Sequence, residues 1–385
     1  MTRLRVAFFQ RMFASYQAGL MKELAASSEH SYRFFGEDRD PLKTGIEPVG
    51  EDERRLLRYT VCRTRHWSRH IACQWKAVET ALFGTEDVII LEDGCTILTN
   101  WPAIAIARWR RKHVLLYTHG WLRRETGMRK FLKNTFYRLA DGLLLYGNKA
   151  RQIGLEYGFP SDRLYVAYNS LDDQTIRREH TAVSEDRCTA FRQSLFGDAS
   201  ADPMIVSVGR LTTVKRYELL IDAVAVLRGR GISVNVLLVG EGPERAALAA
   251  KAAACSVLLA LPGARYDEAY LGVCLSAAAM TVVPGAAGLS VIHSLSYGTP
   301  VVVHNDDDDH MPEHEAVEDG FNGARFRAGD AEDLARAIER VLHELPRCPD
   351  VVRHCRSVVE NAYSPGRMRQ VFDAAVSGRP ASELR

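Results

Sequence analysis

MIVSVGRLTTVKR (204–216) and VVPGAAGLSVIHSLSYGTPVVVH (282–304) decide the fold of this 385-residue chain. Each begins with a short apolar run bounded by glycine or proline, as a strand buried on both faces does. The first run ends in Gly209-Arg210, and Lys215 follows five residues later. In the second, a turn of small residues (Gly285, Ala286, Ala287, Gly288) leads through Leu289 and Ser290 into a short helical pattern. Gly298 and Pro300 stop that helix, and Val301 to Val303 form the next strand. Strand, turn, helix and strand in this order predict a parallel α/β sheet. Such sheets bind ligands beyond the carboxyl ends of their strands. Two cations at one strand end and a helix start with bare backbone N–H groups at another suit a diphosphate.

The rest of the chain has the same rhythm. Apolar runs at 4–9, 31–35, 87–92, 113–120, 142–147 and 163–173 alternate with helical patterns at 16–26, 68–83, 101–111, 122–140 and 148–157. We divide the chain into a Rossmann-like domain over 1–173, a polar linker with one short helix over 174–203, a second Rossmann-like domain over 204–360, and a final helix and tail over 361–385. Residues 36–60 read as irregular.

Composition narrows the function. Hydrophobic residues make up 46% and charged residues 25%, as in an ordinary soluble protein. No apolar run reaches the ~18 residues of a membrane span, and the short run after MTRLR reads as a strand, not a leader. Eight scattered cysteines without a C-x-x-C pair suit reduced thiols, so the expected location is the cytoplasm. Residues 1–173 hold 27 basic against 20 acidic residues, whereas the remainder is acidic. The first half is therefore expected to meet something anionic. No nucleic-acid recognition module is present. The segment 121–140 combines six cations with Trp121, Met128, Phe131, Leu132 and Phe136, which leaves a peripheral position on the inner membrane face open.

Several motifs carry the chain further. VGRL with Lys215, LLVGEGPER (237–245), GLSVIHSLSYGTPVV (288–302), EAVEDGFNG (315–323) and GDAEDLARAI (329–338) together resemble the retaining nucleotide-sugar glycosyltransferases of family 4 (group 1). The resemblance implies a GT-B fold: two Rossmann-like domains whose parallel sheets face across a cleft, the last helix crossing back to the first domain. It implies transfer of a sugar from a nucleotide-diphosphate donor to a glycan or lipid-linked acceptor, with retention, in polysaccharide or glycoconjugate synthesis. No metal or other cofactor is implied. A nucleotide-sugar epimerase on the same fold and a catalytically silent nucleotide-sugar-binding partner are the alternatives.

The resemblance also assigns residues. Arg210 and Lys215, beside Gly209, would hold the donor diphosphate and stabilise the leaving group. The backbone from Gly285 through Ala286, Ala287, Gly288, Leu289 and Ser290 would meet the distal phosphate and the sugar. Relatives carry two glutamates around this turn, where this chain has Gly285 and His293. His293 could still bond a ribose hydroxyl, and Glu313 or Glu315 could compensate for the first loss. Arg265 falls near the nucleobase position, and Glu241 sits in the GEG turn. From the first domain, His119 at a strand end would approach the donor, with Tyr16 and Gln17 on the acceptor side. The aspartate run 306–309 with His310 reads as a solvated loop and not a metal site. His66 and His70, and the group His343, Cys348, His354 and Cys355, lack a zinc spacing.

Overall fold

The computed structural model describes residues 3–42, 45–68, 71–92 and 94–384, so His70 lies outside the described residues. The chain forms two compact units. Unit 1 comprises 1–172 together with 363–385, and unit 2 comprises 173–362.

In unit 1 the strands are β1 (Leu4–Met12), β2 (His30–Glu37), β3 (Tyr59–Val61), β4 (Arg65–His66), β5 (Ala72–Cys73), β6 (Val88–Glu92), β7 (His113–Thr118), β8 (Gly142–Leu145) and β9 (Leu164–Val166). Seven of them form a parallel sheet in the order β3-β2-β1-β6-β7-β8-β9, and β4 and β5 pair as a separate antiparallel ribbon. The helices are α1 (Ala18–Ala25), α2 (Glu51–Leu56), α3 (Trp75–Phe83), α4 (Asn100–Trp109), α5 (Gly127–Arg138) and α6 (Asn148–Glu156).

Unit 2 opens with α7 (Asp173–Ala182) and α8 (Glu185–Phe196). It continues through β10 (Met204–Val208), α9 (Tyr217–Gly229), β11 (Asn235–Val239), α10 (Arg245–Ala254), β12 (Leu259–Ala260) and α11 (Glu268–Ala277). Then come β13 (Met280–Val283), α12 (Ser290–Ser296), β14 (Val301–His304), β15 (Gly323–Phe326), α13 (Ala331–Glu344) and α14 (Pro349–Ala362). Its sheet is also parallel, in the order β12-β11-β10-β13-β14-β15. The last helix, α15 (Pro365–Val376), belongs to unit 1.

Period-two alternation along β1 explains the layers of unit 1. Val6 and Phe8 enter one core with α1 and α15, while Ala7 and Phe9 enter the opposite core with α3, α4 and α5. From α15, Met368, Val371, Phe372, Ala375 and Val376 all join the first of these cores. Asp373 is fully buried there, accepting hydrogen bonds from Ser27 Oγ and Tyr32 Oη and pairing with Arg369. A buried carboxylate with three partners is satisfied.

Some expected elements differ. Residues 174–203 are not a linker with one helix: they form α7, α8 and a 3-10 turn over Gly197–Ala201. The 36–60 stretch contains α2 and β3. The helix expected from residue 68 begins at Trp75, because Arg65–His66 pairs with Ala72–Cys73. The basic helix begins at Gly127, which adopts φ +62°, a left-handed conformation that glycine takes without penalty.

Candidate functional site

Unit 2 brings its diphosphate candidates to neighbouring strand ends, since β10 and β13 are adjacent in the sheet. Beyond β10, Leu211 N–H bonds Glu241 O at 2.9 Å, which lays the GEG turn on residues 209–211. The approach is close enough that a Cβ on Gly240 would lie 1.9 Å from Gly209 O, and one on Gly242 would lie 2.2 Å from Leu211 O. Those glycines are required by backbone packing. Glu241 itself points to solvent and pairs with Arg245 at 3.1 Å, so its observed role is local.

Arg210 is exposed, and its guanidinium has no protein partner among the described residues. Lys215 ends a 3-10 turn (Thr213–Lys215) and is part-buried. Its Nζ donates to Ala286 O at 2.6 Å. Burial lowers its pKa, against the opposing influence of Glu313. Glu313 is 4% exposed, within the 3-10 turn Pro312–Ala316, and close enough to act on the ammonium.

The small-residue turn after β13 lies directly on this lysine. Ala286 N–H bonds Val214 O at 3.2 Å, and a Cβ on Gly285 would fall 2.1 Å from the same oxygen. Glycine at 285 is thus demanded by the contact with Val214 and Lys215. The next N–H, of Ala287, is taken by His310 Nδ1 at 3.0 Å. The expectation that the backbone from Gly285 onward is open to phosphate therefore needs correction for Ala286 and Ala287. No protein acceptor among the described residues is found for the N–H groups of Gly288, Leu289 and Ser290. Leu289 is the N-cap of α12, and Ser290, part-exposed, starts that helix.

His293 lies on α12, but its ring is engaged: Nε2 meets Glu268 Oε1 at 2.7 Å. Tyr297 Oη donates to the same oxygen at 2.7 Å. Burial would raise the Glu268 pKa; the hydrogen bonds from His293 and Tyr297 outweigh it and hold the carboxyl below its usual value. His293 thus has a carboxylate beside it, supplied by the first residue of α11. Sequence reasoning missed Glu268, because a partner 25 residues away leaves no spacing signal. Arg265 is exposed three residues earlier, its guanidinium 4.9 Å from the Tyr270 ring centroid.

In unit 1, His119 follows β7 and stacks on Tyr146 at 4.2 Å with 5° between the planes. Tyr146 also stacks on Tyr117 at 4.4 Å. Burial drives its phenol pKa upward, with Tyr117, Tyr16 and Glu92 acting in the same direction, so the fold gathers Tyr16 and His119 around Tyr146. Gln17 does not join them. It is 5% exposed, and its side-chain oxygen accepts Ala14 N–H at 3.0 Å, which makes it a turn-forming residue.

The aspartate run is exposed over 306–308 but not idle, since Asp309 pairs with Arg216 at 3.1 Å and Asp307 with Arg325 at 3.0 Å. Among the described residues, no group of three or more His, Cys, Asp or Glu side chains could hold a metal ion. The eight cysteines are all free. On α5, Met128, Phe131 and Leu132 are exposed, while Phe136 and Tyr137 fill the core. Its cations are partly spent within the protein, Arg129 and Lys133 on Glu125 and Lys130 over the Tyr157 ring at 3.8 Å, and Arg124 just before the helix pairs with Glu156. No helix among the described residues is long and apolar enough to cross a membrane.

Comparison with known proteins fits this geometry. Residues 194–364 match the family model of glycosyl transferases group 1. The chain is 27% identical over 276 residues to the GDP-mannose-dependent alpha-(1-6)-phosphatidylinositol dimannoside mannosyltransferase of Mycobacterium tuberculosis, covering 67% of this chain and 69% of that one. It is 32% identical over 148 residues to the lipopolysaccharide core biosynthesis glycosyltransferase LpsE of Rhizobium meliloti, covering 38% and 41%. The crystal structure of Anabaena HepE in complex with UDP superposes with a TM-score of 0.70 at 16% identity, over 97% of this chain and 100% of that one. That likeness shows the fold, two Rossmann-like domains of the GT-B type. With the matched family model and these relatives, the chain is a glycosyltransferase built on the GT-B fold.

Proposed function

We propose that this enzyme moves a sugar from a nucleotide-diphosphate donor to a hydroxyl of a glycan or lipid-linked acceptor, with retention at the anomeric carbon. The observation that carries the reading is the cationic pair beyond β10: Arg210 without a protein partner and Lys215 beside the β13 turn. An ammonium has three donors, so Lys215 keeps two for phosphate oxygens after serving Ala286 O. As the bond between anomeric carbon and phosphate oxygen breaks, charge grows on the diphosphate, and both cations oppose it. The acceptor oxygen forms the new bond on the same face, and its proton passes to the leaving diphosphate. The N–H groups of Gly288, Leu289 and Ser290 would meet the distal phosphate and sugar, and Arg265 the nucleobase. The Glu268–His293 pair would face the ribose. His119 and Tyr16 are assigned to unit 1's share of the substrate contacts.

A donor panel tests this. UDP, GDP and dTDP sugars are titrated by calorimetry, and nucleotide release is followed with lipid-linked and glycan acceptors. Tight binding without transfer to any acceptor would favour a silent binding partner. Interconversion of free nucleotide sugars would favour an epimerase. We further propose a cytoplasmic protein that touches the inner membrane face through α5, supported by the exposed Met128, Phe131 and Leu132 amid basic residues.

A further inference from the structure

The segment 305–311 ties together the two halves of the diphosphate site. At one end, Asp309 pairs with Arg216, the residue after Lys215. At the other, His310 and Met311 hold the turn after β13. His310 Nε2 faces His304 O at 2.9 Å and so carries the proton, which leaves Nδ1 as the acceptor for Ala287 N–H at 3.0 Å. Met311 N–H returns to Ala287 O at 3.0 Å. Both backbone groups of Ala287 are therefore held from one side, and both of Ala286 are held from the other by Val214 and Lys215.

The His310 ring is fixed in place. It stacks between His304 at 3.8 Å and His314 at 4.9 Å, and the three rings are 3%, 0% and 3% exposed. His314 is held in turn by Asp307, which also pairs with Arg325. Only a neutral imidazole provides a flat ring with a donor on one edge and an acceptor on the other. A carboxylate here would be a buried charge, and a phenyl ring would leave the Ala287 N–H without an acceptor.

We propose that 305–311 is a latch that sets the turn 285–288 against the Lys215 turn, with His310 as the positioning residue. The proposal rests on the donor-site reading above. His310 touches no ligand; it fixes the spacing between Lys215 and the N–H groups of 288–290. An acidic run that looks like a solvated loop becomes the device that keeps two phosphate-binding elements in register.

The test is calorimetric binding of UDP, GDP and dTDP to the full chain, with a thermal midpoint for every variant. His310→Phe keeps the stack but removes the acceptor, and is expected to weaken nucleotide binding by about tenfold. His310→Asn restores an acceptor and should return to within about threefold of the parent. Asp309→Asn and Arg216→Ala should each weaken binding a few-fold, and the double variant no more than either alone. Parent-like affinity in His310→Phe, or equal losses in the Phe and Asn variants, overturns the latch. If His310→Phe does not fold, parent-like affinity in the Asp309/Arg216 double variant overturns it instead. A parent that binds none of the three nucleotides sinks the donor reading and the latch together. A parent that binds while every variant matches it sinks the latch alone.

Discussion

Gly285 is the position at which the structure makes its sharpest demand. Alanine is the smallest perturbation, and its Cβ would lie 2.1 Å from Val214 O, 2.7 Å from Lys215 C and 2.9 Å from Lys215 Cα. All three are backbone atoms, so no side chain can swing aside. Carbon and oxygen do not approach within 3.0 Å, so the turn must retreat by about 1 Å. That shift carries Ala286 O from 2.6 Å to about 3.6 Å from Lys215 Nζ, beyond hydrogen-bonding range. Overpacking of this kind costs about 1–3 kcal/mol, and the lost charged hydrogen bond about 1.5–3 kcal/mol. The two overlap, because one movement relieves the first by incurring the second, so we expect about 2–4 kcal/mol in total. For a unit of this size that lowers the melting temperature by roughly 5–15 °C. Nucleotide affinity should fall in parallel, as Lys215 loses its tether. Gly285→Glu, which adds a longer and charged side chain at the same contact, should be worse still. Scanning fluorimetry and calorimetric nucleotide binding on both variants provide the check. An alanine variant that melts within about 1 °C of the parent and binds equally well would refute the argument from contact, as would a glutamate variant with improved activity.

Four further outcomes are expected. Arg210→Ala and Lys215→Ala should each lower donor affinity or turnover by about tenfold or more, on the order of 1.5–3 kcal/mol; only Lys215→Ala should also lower the melting temperature, and parent-like kinetics in both would remove the site. Glu268→Gln replaces the carboxylate shared by His293 and Tyr297, and should destabilise unit 2 by about 1–3 kcal/mol in denaturant titrations, with an unchanged midpoint counting against the pair. Burial holds His310 at a pKa of about 3 against an ordinary 6.5, so its contribution to stability is complete above about pH 6.5 and is lost as pH falls toward 3. At pH 5 the loss is about 2 kcal/mol, and a stability profile flat between pH 7.5 and 5 would contradict it. Neutralising Arg129, Lys130 and Lys133 should reduce sedimentation with anionic liposomes and leave neutral liposomes unaffected; equal binding by parent and variant would end the membrane assignment.

The sequence made the parallel strands legible because strands covered on both faces are mostly apolar, as 204–208 and 280–283 are apart from Ser207 and Thr281. Of the two helices in 173–196 only one was legible, as a short piece of α8, for the converse reason. Ile176 is the sole buried residue of α7, and Cys188 and Phe196 are the only ones of α8, too few to make a stripe. At the candidate site, Arg210 and Lys215 could be read from their place after a strand. The Ala287–His310 and His293–Glu268 pairs could not, because each joins residues more than twenty positions apart through chain folding alone. Gly285 looked like a deficit in the motif. The structure gives it a steric cause.

The return of α15 to the first sheet has a consequence for biosynthesis. Residues 173–362 are contiguous, whereas the core around Val6, Phe8 and Phe34 is closed by Met368, Val371 and Phe372. As the chain leaves the ribosome, the later-made unit has all its parts before the earlier one does. The first 172 residues must wait, with an apolar sheet face uncovered, until the final helix emerges. A nascent chain stalled before residue 365 would present that face to chaperones, and a stop codon within 365–376 would do damage far from where it falls.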